Sequence, residues 1–211
     1  MTKLFLVRHG ETTWNSEGRL QGHLDIPLND KGRWQAKQAA SRLVRANITA
    51  IYASDLIRAF ETAQIIGKRL NLEVIPSQNL REANLGCFQG KTWAEIQQLY
   101  PDQFKARQLD PVHAVPEGGE SVWQLSQRVI GEVERIIARH PESTVALATH
   151  GGVCLTLICH ALGLDLTKRR AFGIGNASIH RLEYDGKLWR VLGLNDTCHL
   201  EGVPFEKEID Q

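Results

Sequence analysis

The sequence predicts an α/β protein of three layers, in which helices cover both faces of a central, mostly parallel sheet with one antiparallel edge strand. Short apolar runs alternate along the 211 residues with longer segments of helical period, which is typical of strand–helix units around parallel strands. Hydrophobic residues make up 42% of the chain and charged residues 23%, as in ordinary globular proteins. Because no proline-rich, serine-rich or acidic stretch marks a linker, we expect residues 1–211 to form a single domain.

The first half of the chain contains three predicted strands and two predicted helices. Each strand is a short apolar run, and the three runs are Leu4–Val7, Ile48–Ala53 and Leu72–Ile75. Apolar residues at helical spacing predict helices over Gly32–Ala46 and Asp55–Leu70. We expect the side chain of Ser54 or Asp55 to cap the second helix.

The second half contains three predicted helices, which are Trp93–Leu99, Ser121–His140 and Gly151–Leu162. Its predicted strands are Thr144–Ala148 and a hairpin that joins Ser178–Tyr184 to Trp189–Leu194 through an Asp-Gly turn. Around the first of these helices, residues 86–115 have mixed polarity and are interrupted by prolines. We expect this segment to be an insertion that lies over the functional site as a lid.

Charge and composition exclude several classes of function. The 25 basic and 24 acidic residues leave a net charge of +1, so we expect neither nucleic acid nor a membrane as a partner. No apolar run is long enough to span a membrane and no secretory signal is visible, so we expect a cytoplasmic protein. The four cysteines have no CxxC or zinc-ligand spacing, which indicates neither a disulfide framework nor a metal site.

Two predicted strands end in a histidine. Leu4–Val7 is followed by Arg8, His9 and a glycine, and Thr144–Ala148 is followed by a threonine, His150 and two glycines. In open parallel sheets, ligands bind at the carboxyl ends of the strands, where the two histidines would meet. Two imidazoles beside the N-terminus of a helix favour transfer of a phosphoryl group. A structural histidine at the end of its strand is the alternative for His150.

Two arginines could supply the positive charge that such a site needs. Arg8 adjoins His9, and Arg58 lies one turn into the helix that follows the second predicted strand. A planar guanidinium can bind two phosphate oxygens at once, which a lysine cannot do. For Arg58, an ordinary charge on the helix surface is the alternative.

A series of short motifs extends along nearly the whole chain. The first and most specific is LVRHGETTWN, at Leu6–Asn15. The others are, in order, Leu20–Gly22, Asp25–Asn29, Gly32, Ser54–Leu56, Arg58–Ala59, Glu61–Ala63, Leu80–Glu82, Gly86–Gly90, Pro116–Ser121 and Thr149–Gly152. In this series the chain resembles the histidine phosphatase superfamily, in the branch of cofactor-dependent phosphoglycerate mutases and their phosphatase relatives. The resemblance implies a phosphoglycerate mutase-like fold.

The resemblance also implies a role for each motif residue. His9 would be the nucleophile that becomes phosphorylated, and Glu82 would give a proton to the leaving group and then help to activate water. The phosphate would be surrounded by Arg8, Arg58 and His150, and further contacts would come from Asn15, Gln21, Gly22 and Gly151. A surface carboxylate paired with Arg81 is the alternative for Glu82. Because two arginines and a cationic His150 can do what magnesium does elsewhere, neither a metal nor another cofactor is implied.

The same site could transfer its phosphoryl group to water or to a second hydroxyl group of the substrate. The mutases of the family resemble one another in a longer insertion with a lysine and a paired arginine for the substrate carboxylate. Here the corresponding stretch, up to Pro116, offers only isolated Lys105 and Arg107, which favours a phosphatase. A phosphoglycerate mutase and a non-catalytic protein that binds a phosphorylated ligand remain alternatives.

The C-terminal run Leu194–Leu200 resembles that of metal-independent phosphoserine phosphatases, so we expect His199 to approach the substrate. A polar tail residue on the surface is the alternative for His199. Against phosphoserine, those enzymes resemble one another in a histidine shortly after the acid residue, and this chain has Leu85 at that substrate-binding position. A small phosphorylated metabolite is thus the expected partner, and phosphoserine is the first choice. The alternatives are a broad-specificity phosphatase and an α-ribazole phosphatase. The hairpin or its edge strand could pair two subunits into a homodimer.

Overall fold

A mixed β-sheet forms the centre of the protein in the computed structural model, which describes residues 1–202 and 204–205. The strands found there are β1 (Thr2–Arg8), β2 (Ala50–Ala53), β3 (Val74–Pro76), β4 (Thr144–Thr149), β5 (Ile179–Tyr184) and β6 (Trp189–Asp196). They lie in the order β3-β2-β4-β1-β5-β6. The pairs β3-β2, β2-β4 and β4-β1 are parallel, whereas β5 runs antiparallel to both β1 and β6. The predicted parallel sheet with an antiparallel edge is confirmed.

Helices cover both faces of the sheet. They are α1 (Thr13–Ser16), α2 (Asp30–Leu43), α3 (Ile57–Leu70), α4 (Trp93–Leu99), α5 (Pro101–Leu109), α6 (Val122–Arg139) and α7 (Gly151–Leu162). Two hydrophobic clusters lie between the sheet and its helices, one on each face of the sheet. Leu4 and Leu6 of β1 pack in the cluster of α6 and α7, while Val7 points into the cluster of α2 and α3. Because β1 is buried on both faces, its sequence is a continuous apolar run.

The five predicted helices are all present, and α4 and α7 have the predicted bounds. Helix α5, in contrast, was not predicted from the sequence. Its first residue is Pro101, which a helix accepts at this position because the missing N–H would have had no partner inside the helix. Most of its side chains are exposed and polar, so it lacks the apolar stripe that reveals a helix in a sequence.

The predicted cap of α3 is wrong. The helix begins at Ile57, whose backbone N–H donates to the carboxylate of Asp25 at 2.6 Å, so the cap comes from a distant segment. Ser54 makes only a long bond to the N–H of Leu56, at 3.3 Å, and also contacts His150. A cap supplied from 32 residues away leaves no signal in the local sequence.

The ends of three strands define one edge of the sheet. Arg8, at the end of β1, pairs with Thr149, at the end of β4. The next residue of each strand is a histidine, and the backbone N–H of His9 donates to the carbonyl of Thr149 at 2.9 Å. The N–H of Ser54, just after β2, donates to the carbonyl of Ala148 at 3.0 Å. The parallel register therefore brings both histidines to the same point.

Candidate active site

A cavity of about 330 Å³ opens at this edge of the sheet. Four of the five predicted catalytic residues line it: Arg8, His9, Arg58 and Glu82. So do four of the predicted substrate-binding residues: Asn15, Gln21, Gly22 and Leu85. These eight residues come from five separate stretches of the chain and meet in one place, as expected for a site built on strand ends and loops.

His9 is held in a single orientation and is only 3% exposed. Its Nδ1–H donates to the backbone carbonyl of Gly10 at 2.7 Å, which leaves the Nε2 lone pair free. Burial lowers the pKa of His9 well below its usual value, and the nearby guanidinium groups of Arg58 and Arg8 lower it further. The ring is therefore neutral near pH 7, which is the state that a nucleophile requires.

His150 is fully buried, and its ring packs edge-on against that of His9 with 5.3 Å between centroids. Its Nε2 lies 2.8 Å from the hydroxyl of Ser54, while its Nδ1 is buried without a hydrogen-bond partner. Burial, followed by the charge of Arg58, lowers the pKa of His150 well below its usual value. The free site therefore holds a neutral His150, and the expected imidazolium is not present before an anion arrives. An unpaired nitrogen also contradicts the alternative of a satisfied structural histidine.

Arg58 is buried, with 1% exposure, so the alternative of a surface charge is wrong. Its two terminal nitrogens donate to the carbonyls of Gly22 and Leu24 at 2.7 and 2.9 Å, and its Nε has no partner. Burial lowers the pKa of Arg58 to about 10, so it stays charged at neutral pH. Arg8 is similar, with one bond to the carbonyl of Ile174 at 2.5 Å and an unpaired buried Nε.

Neither Arg8 nor Arg58 forms an ion pair with any residue that the structure describes. Two guanidinium groups with unpaired, buried N–H donors are costly unless an anion binds between them. The arrangement thus favours a phosphate group beside His9.

Glu82 is fixed by backbone donors on both carboxylate oxygens. Its Oε1 accepts from the N–H of Ala83 at 2.9 Å and its Oε2 from the N–H of Gly152 at 3.0 Å. A Cβ atom on Gly152 would overlap Oε1, which explains the second glycine of the THGG motif. Arg81 is instead paired with Asp55, so the alternative in which Arg81 neutralises Glu82 is wrong.

The other predicted residues are placed in different ways. The Oδ1 of Asn15 accepts from Thr12 and Asn176, which leaves its Nδ2 as the group that can donate into the cavity. The Oε1 of Gln21 is buried without a partner. Leu85 provides an apolar wall. Gly151 does not line the cavity, although its Cα faces the Nε of Arg8 closely enough that a side chain there would touch it.

The structure does not bring His199 to the cavity, contrary to the sequence-based expectation. Its Nε2–H donates to the carbonyl of Ala177 at 3.1 Å. The N–H of Ala177 in turn donates to the carbonyl of His9 at 3.2 Å. Because the short 3₁₀ helix Cys198–Leu200 packs against α2, His199 supports the loop behind His9 instead of contacting a ligand.

Several cavity residues are not predicted from the sequence as site residues, and the most notable are Arg19, Trp93, Arg107 and Arg169. Trp93 and Arg107 come from the predicted covering segment, which therefore forms part of the wall. Arg169 lies in a 3₁₀ helix, Leu166–Ala171, within a basic run that has no motif around it. Only the sheet topology brings this run near the strand ends.

Comparisons with known proteins agree with this geometry. The model of the family described as histidine phosphatase superfamily (branch 1) matches residues 4–197. The chain is 39% identical to phosphoglycerate mutase-like protein 4 of Arabidopsis thaliana over 207 residues, covering 96% of this chain and 89% of the relative. It is 38% identical to phosphoserine phosphatase 1 of Hydrogenobacter thermophilus over 200 residues, covering 95% of both. The solved mycobacterial glucosyl-3-phosphoglycerate phosphatase superposes with a TM-score of 0.83 at 37% identity, covering 92% of this chain and 98% of that one.

Proposed function

Because the chain belongs to branch 1 of the histidine phosphatase superfamily and is a phosphoric monoester hydrolase, we propose that it hydrolyses phosphoserine through a phosphorylated His9. The observation that carries this mechanism is the state of His9. Its Nδ1–H is bonded to the Gly10 carbonyl, which leaves Nε2 free, and its pKa is lowered by burial and by the nearby charges of Arg58 and Arg8, neither of which forms an ion pair with a described residue. A neutral nitrogen next to an anion-binding site is the arrangement for attack on phosphorus.

In the first step, the Nε2 lone pair of His9 forms a bond to phosphorus while the bond from phosphorus to the ester oxygen breaks. Arg8 and Arg58 bind the phosphoryl oxygens, on which negative charge is spread in the transition state. Glu82, in its acid form, gives its proton to the departing alkoxide, so that the alcohol leaves as a neutral molecule.

In the second step, a water molecule attacks the phosphohistidine. The carboxylate of Glu82 takes the proton from the water, the bond between phosphorus and Nε2 breaks, and His9 returns to its neutral form. Inorganic phosphate leaves, and Glu82 is again protonated for the next cycle. The two backbone donors on Glu82 keep the carboxyl group at one place for both roles.

His150 takes part through its charge. Burial and Arg58 keep it neutral in the free site, whereas a phosphate dianion beside it favours the imidazolium. Binding of the phosphate group is therefore coupled to uptake of a proton by His150, and the new N–H donor stabilises the transferring group. Ser54 holds the other ring nitrogen in either state.

The choice of phosphoserine is supported by the name of the relative from Hydrogenobacter, and the other relatives support other substrates. A broad-specificity or α-ribazole phosphatase shares the same chemistry. The name of the Arabidopsis relative motivates a phosphoglycerate mutase as a further candidate. A panel of phosphoserine, 3-phosphoglycerate, sugar phosphates and α-ribazole phosphate, assayed for kcat/KM with chelator present, decides among them. Equal and low values would favour a broad phosphatase, and conversion of 3-phosphoglycerate to its 2-isomer would identify a mutase.

The covalent step is tested with His9→Ala. We expect kcat to fall at least about 1,000-fold, as for other variants that lack the nucleophile. Rapid quenching of the wild-type enzyme should show an acid-labile phosphoryl group on the protein, which His9→Ala lacks. Turnover near the wild-type rate in His9→Ala would contradict the mechanism. A non-catalytic binding protein would hydrolyse no ester even in its wild-type form.

A further inference from the structure

A second pair of arginines lies in the same cavity, apart from the two beside His9. Arg169 is 6% exposed and is held by two backbone carbonyls, those of Leu166 at 2.9 Å and Pro111 at 2.8 Å. Arg107 comes from α5 and lines the cavity together with it. Within residues 1–202 and 204–205, neither of them forms an ion pair.

Arg107 is oriented by its surroundings. Its guanidinium lies over the ring of Trp93, with 5.7 Å to the centroid, and Trp93 packs in turn against Phe104. The Nε of Arg107 is buried and has no hydrogen-bond partner. A cation fixed on an aromatic face, with an unused donor inside the cavity, is prepared to bind an acceptor.

The two guanidinium groups also repel each other. Burial, followed by the charges of Arg169 and Arg170, lowers the pKa of Arg107 to about 10. The charge of Glu82 opposes part of this shift in the pKa of Arg107 without forming an ion pair with it. Folding still buries like charges together, which is unfavourable unless a further anion offsets the repulsion. The phosphate beside His9 already has Arg8 and Arg58, so these further cations call for a second anionic group.

We infer that Arg107 and Arg169 bind a carboxylate of the substrate, distal to the phosphate that is transferred. This inference rests on the proposed phosphatase function and narrows it to phosphomonoesters of hydroxy or amino acids. The same cavity is also lined by the apolar side chains of Val122, Leu125 and Leu155, which suit the carbon skeleton of such a molecule. The esters in the names of two relatives, phosphoserine and glucosyl-3-phosphoglycerate, each carry a carboxylate.

The site also corrects a sequence-based argument. Arg107 was expected to be isolated, and its lack of a partner favoured a phosphatase over a mutase. In the structure Arg107 lines the same cavity as Arg169, which lies 62 residues further along the chain. Recognition of a carboxylate is therefore available to this chain without the longer insertion of the mutases.

The test uses esters that differ in one acid group: phosphoserine against phosphoethanolamine, and 3-phosphoglycerate against glycerol 3-phosphate. For Arg107→Met we expect kcat/KM to fall roughly 10- to 100-fold for the two acids, mainly through KM, because a charge-assisted hydrogen bond is lost. For the two esters without a carboxylate, the change should stay within about threefold. Arg107→Lys should restore part of the loss, because it restores the charge without the planar fork.

Lys105→Met is the matched control, since it removes an exposed cation from the same helix and should affect all four esters equally little. Activity on phosphoethanolamine also reports whether each variant is folded. If Arg107→Met does not fold, Arg169→Gln replaces it in the same comparison of the four esters. An equal loss on acids and neutral esters, or no loss on either, would overturn the carboxylate site.

A binding measurement separates this inference from the proposed function. In His9→Ala, which cannot turn over by the proposed route, calorimetry should show phosphoserine binding at least about tenfold more tightly than phosphoethanolamine. His9→Ala combined with Arg107→Met should abolish that difference. If the preference is found but no ester is hydrolysed by the wild type, the phosphatase proposal fails and the carboxylate site stands. If both ligands bind equally, the carboxylate site is wrong whatever the activity.

Discussion

At the scale of single residues, the site is defined by buried nitrogen atoms that lack hydrogen-bond partners. The Nε atoms of Arg8 and Arg58 and the Nδ1 of His150 are all buried without a partner, close to the free nitrogen of His9. In a protein interior each such atom costs roughly 1–3 kcal/mol, so three of them around His9 favour a bound anion. Binding of a phosphate group would give these nitrogens hydrogen-bond partners, and the free-energy cost of burying them would then be offset.

Gly152 provides a test of how accurately Glu82 must be placed. We expect Gly152→Ala to lower kcat about 100-fold, because a displacement of about 1 Å at a catalytic group has this effect. The added methyl group would overlap Glu82 Oε1 and force the carboxyl group away from its position. Steady-state kinetics with phosphoserine gives the measurement.

Gly131→Ala is the matched control, since no atom lies within 4 Å of the added Cβ in the middle of α6. It should leave kcat unchanged and stabilise the helix by about 0.5–1 kcal/mol. An active Gly152→Ala enzyme would show that Glu82 tolerates displacement and is not the proton donor.

At the scale of secondary structure elements, α6 orders the loop that carries Glu82. Arg128 of this helix donates to the carbonyls of Asn79 and Arg81, each at 3.0 Å, and of Glu82 at 3.3 Å. Its charge is balanced by Glu120, which also accepts from the backbone N–H of Asn84. A loop without regular structure thus has a defined path because a helix side chain satisfies its carbonyls.

Arg128→Met should therefore impair proton donation without removing a group that touches the substrate. We expect kcat to fall about 10- to 100-fold for phosphoserine, whose alkoxide needs a proton. For p-nitrophenyl phosphate, whose leaving group is stable as an anion, the loss should stay below about threefold. Arg139→Met, which removes an exposed arginine from the same helix, is the control. Equal losses on both esters would mean that Arg128 has a general structural role.

At the scale of the whole molecule, three buried histidines make stability depend on pH. Burial lowers the pKa of His180 to about 4, and the pKa values of His9 and His150 are lowered as well. The Nδ1 of His180 accepts from the N–H of Asn195 at 3.0 Å, a bond that protonation of Nδ1 would break. The unfolded chain binds these protons near pH 6.5, whereas the folded chain does so only at lower pH.

The free energy of unfolding should therefore rise with pH between about pH 4 and 6.5 and lose this dependence above that range. Each histidine contributes a slope of up to about 1.4 kcal/mol per pH unit, because the unfolded state holds one more proton. Urea unfolding of the wild type and His180→Gln at several pH values measures the difference, and the variant should have the smaller slope. If the free energy of unfolding changes with pH equally in the two proteins, His180 does not contribute to the pH dependence, which would contradict the prediction.

Metal independence remains a prediction for the whole enzyme, and a chelator tests it. We expect prolonged dialysis against EDTA to change kcat/KM by less than about twofold, because Arg8 and Arg58 supply the charge that phosphoryl transfer needs. Loss of activity that added Mg²⁺ restores would contradict this.

In the part of the chain that the structure describes, no helix is long and apolar enough to cross a membrane. The cytoplasmic location and the homodimer also remain predictions.

The sequence by itself determined the fold class, the family and most of the residues in the site. Strand β1 is buried on both faces, so its apolar run and polar end are visible without a structure. The motif residues are local in sequence, since Arg8 and His9 are adjacent and Gly152 follows His150 closely. Such patterns are readable because the backbone geometry of a strand end is set by neighbouring residues.

Only the tertiary structure decided the features that depend on distant contacts. Three such features each depend on residues far apart in the chain. They are the neutral state of His150, the cap of α3 by Asp25 and the hydrogen bond from His199 to Ala177. Arg107 and Arg169 share a cavity for the same reason. Charge state and pairing are set by burial and by long-range neighbours, and neither quantity is encoded in local spacing.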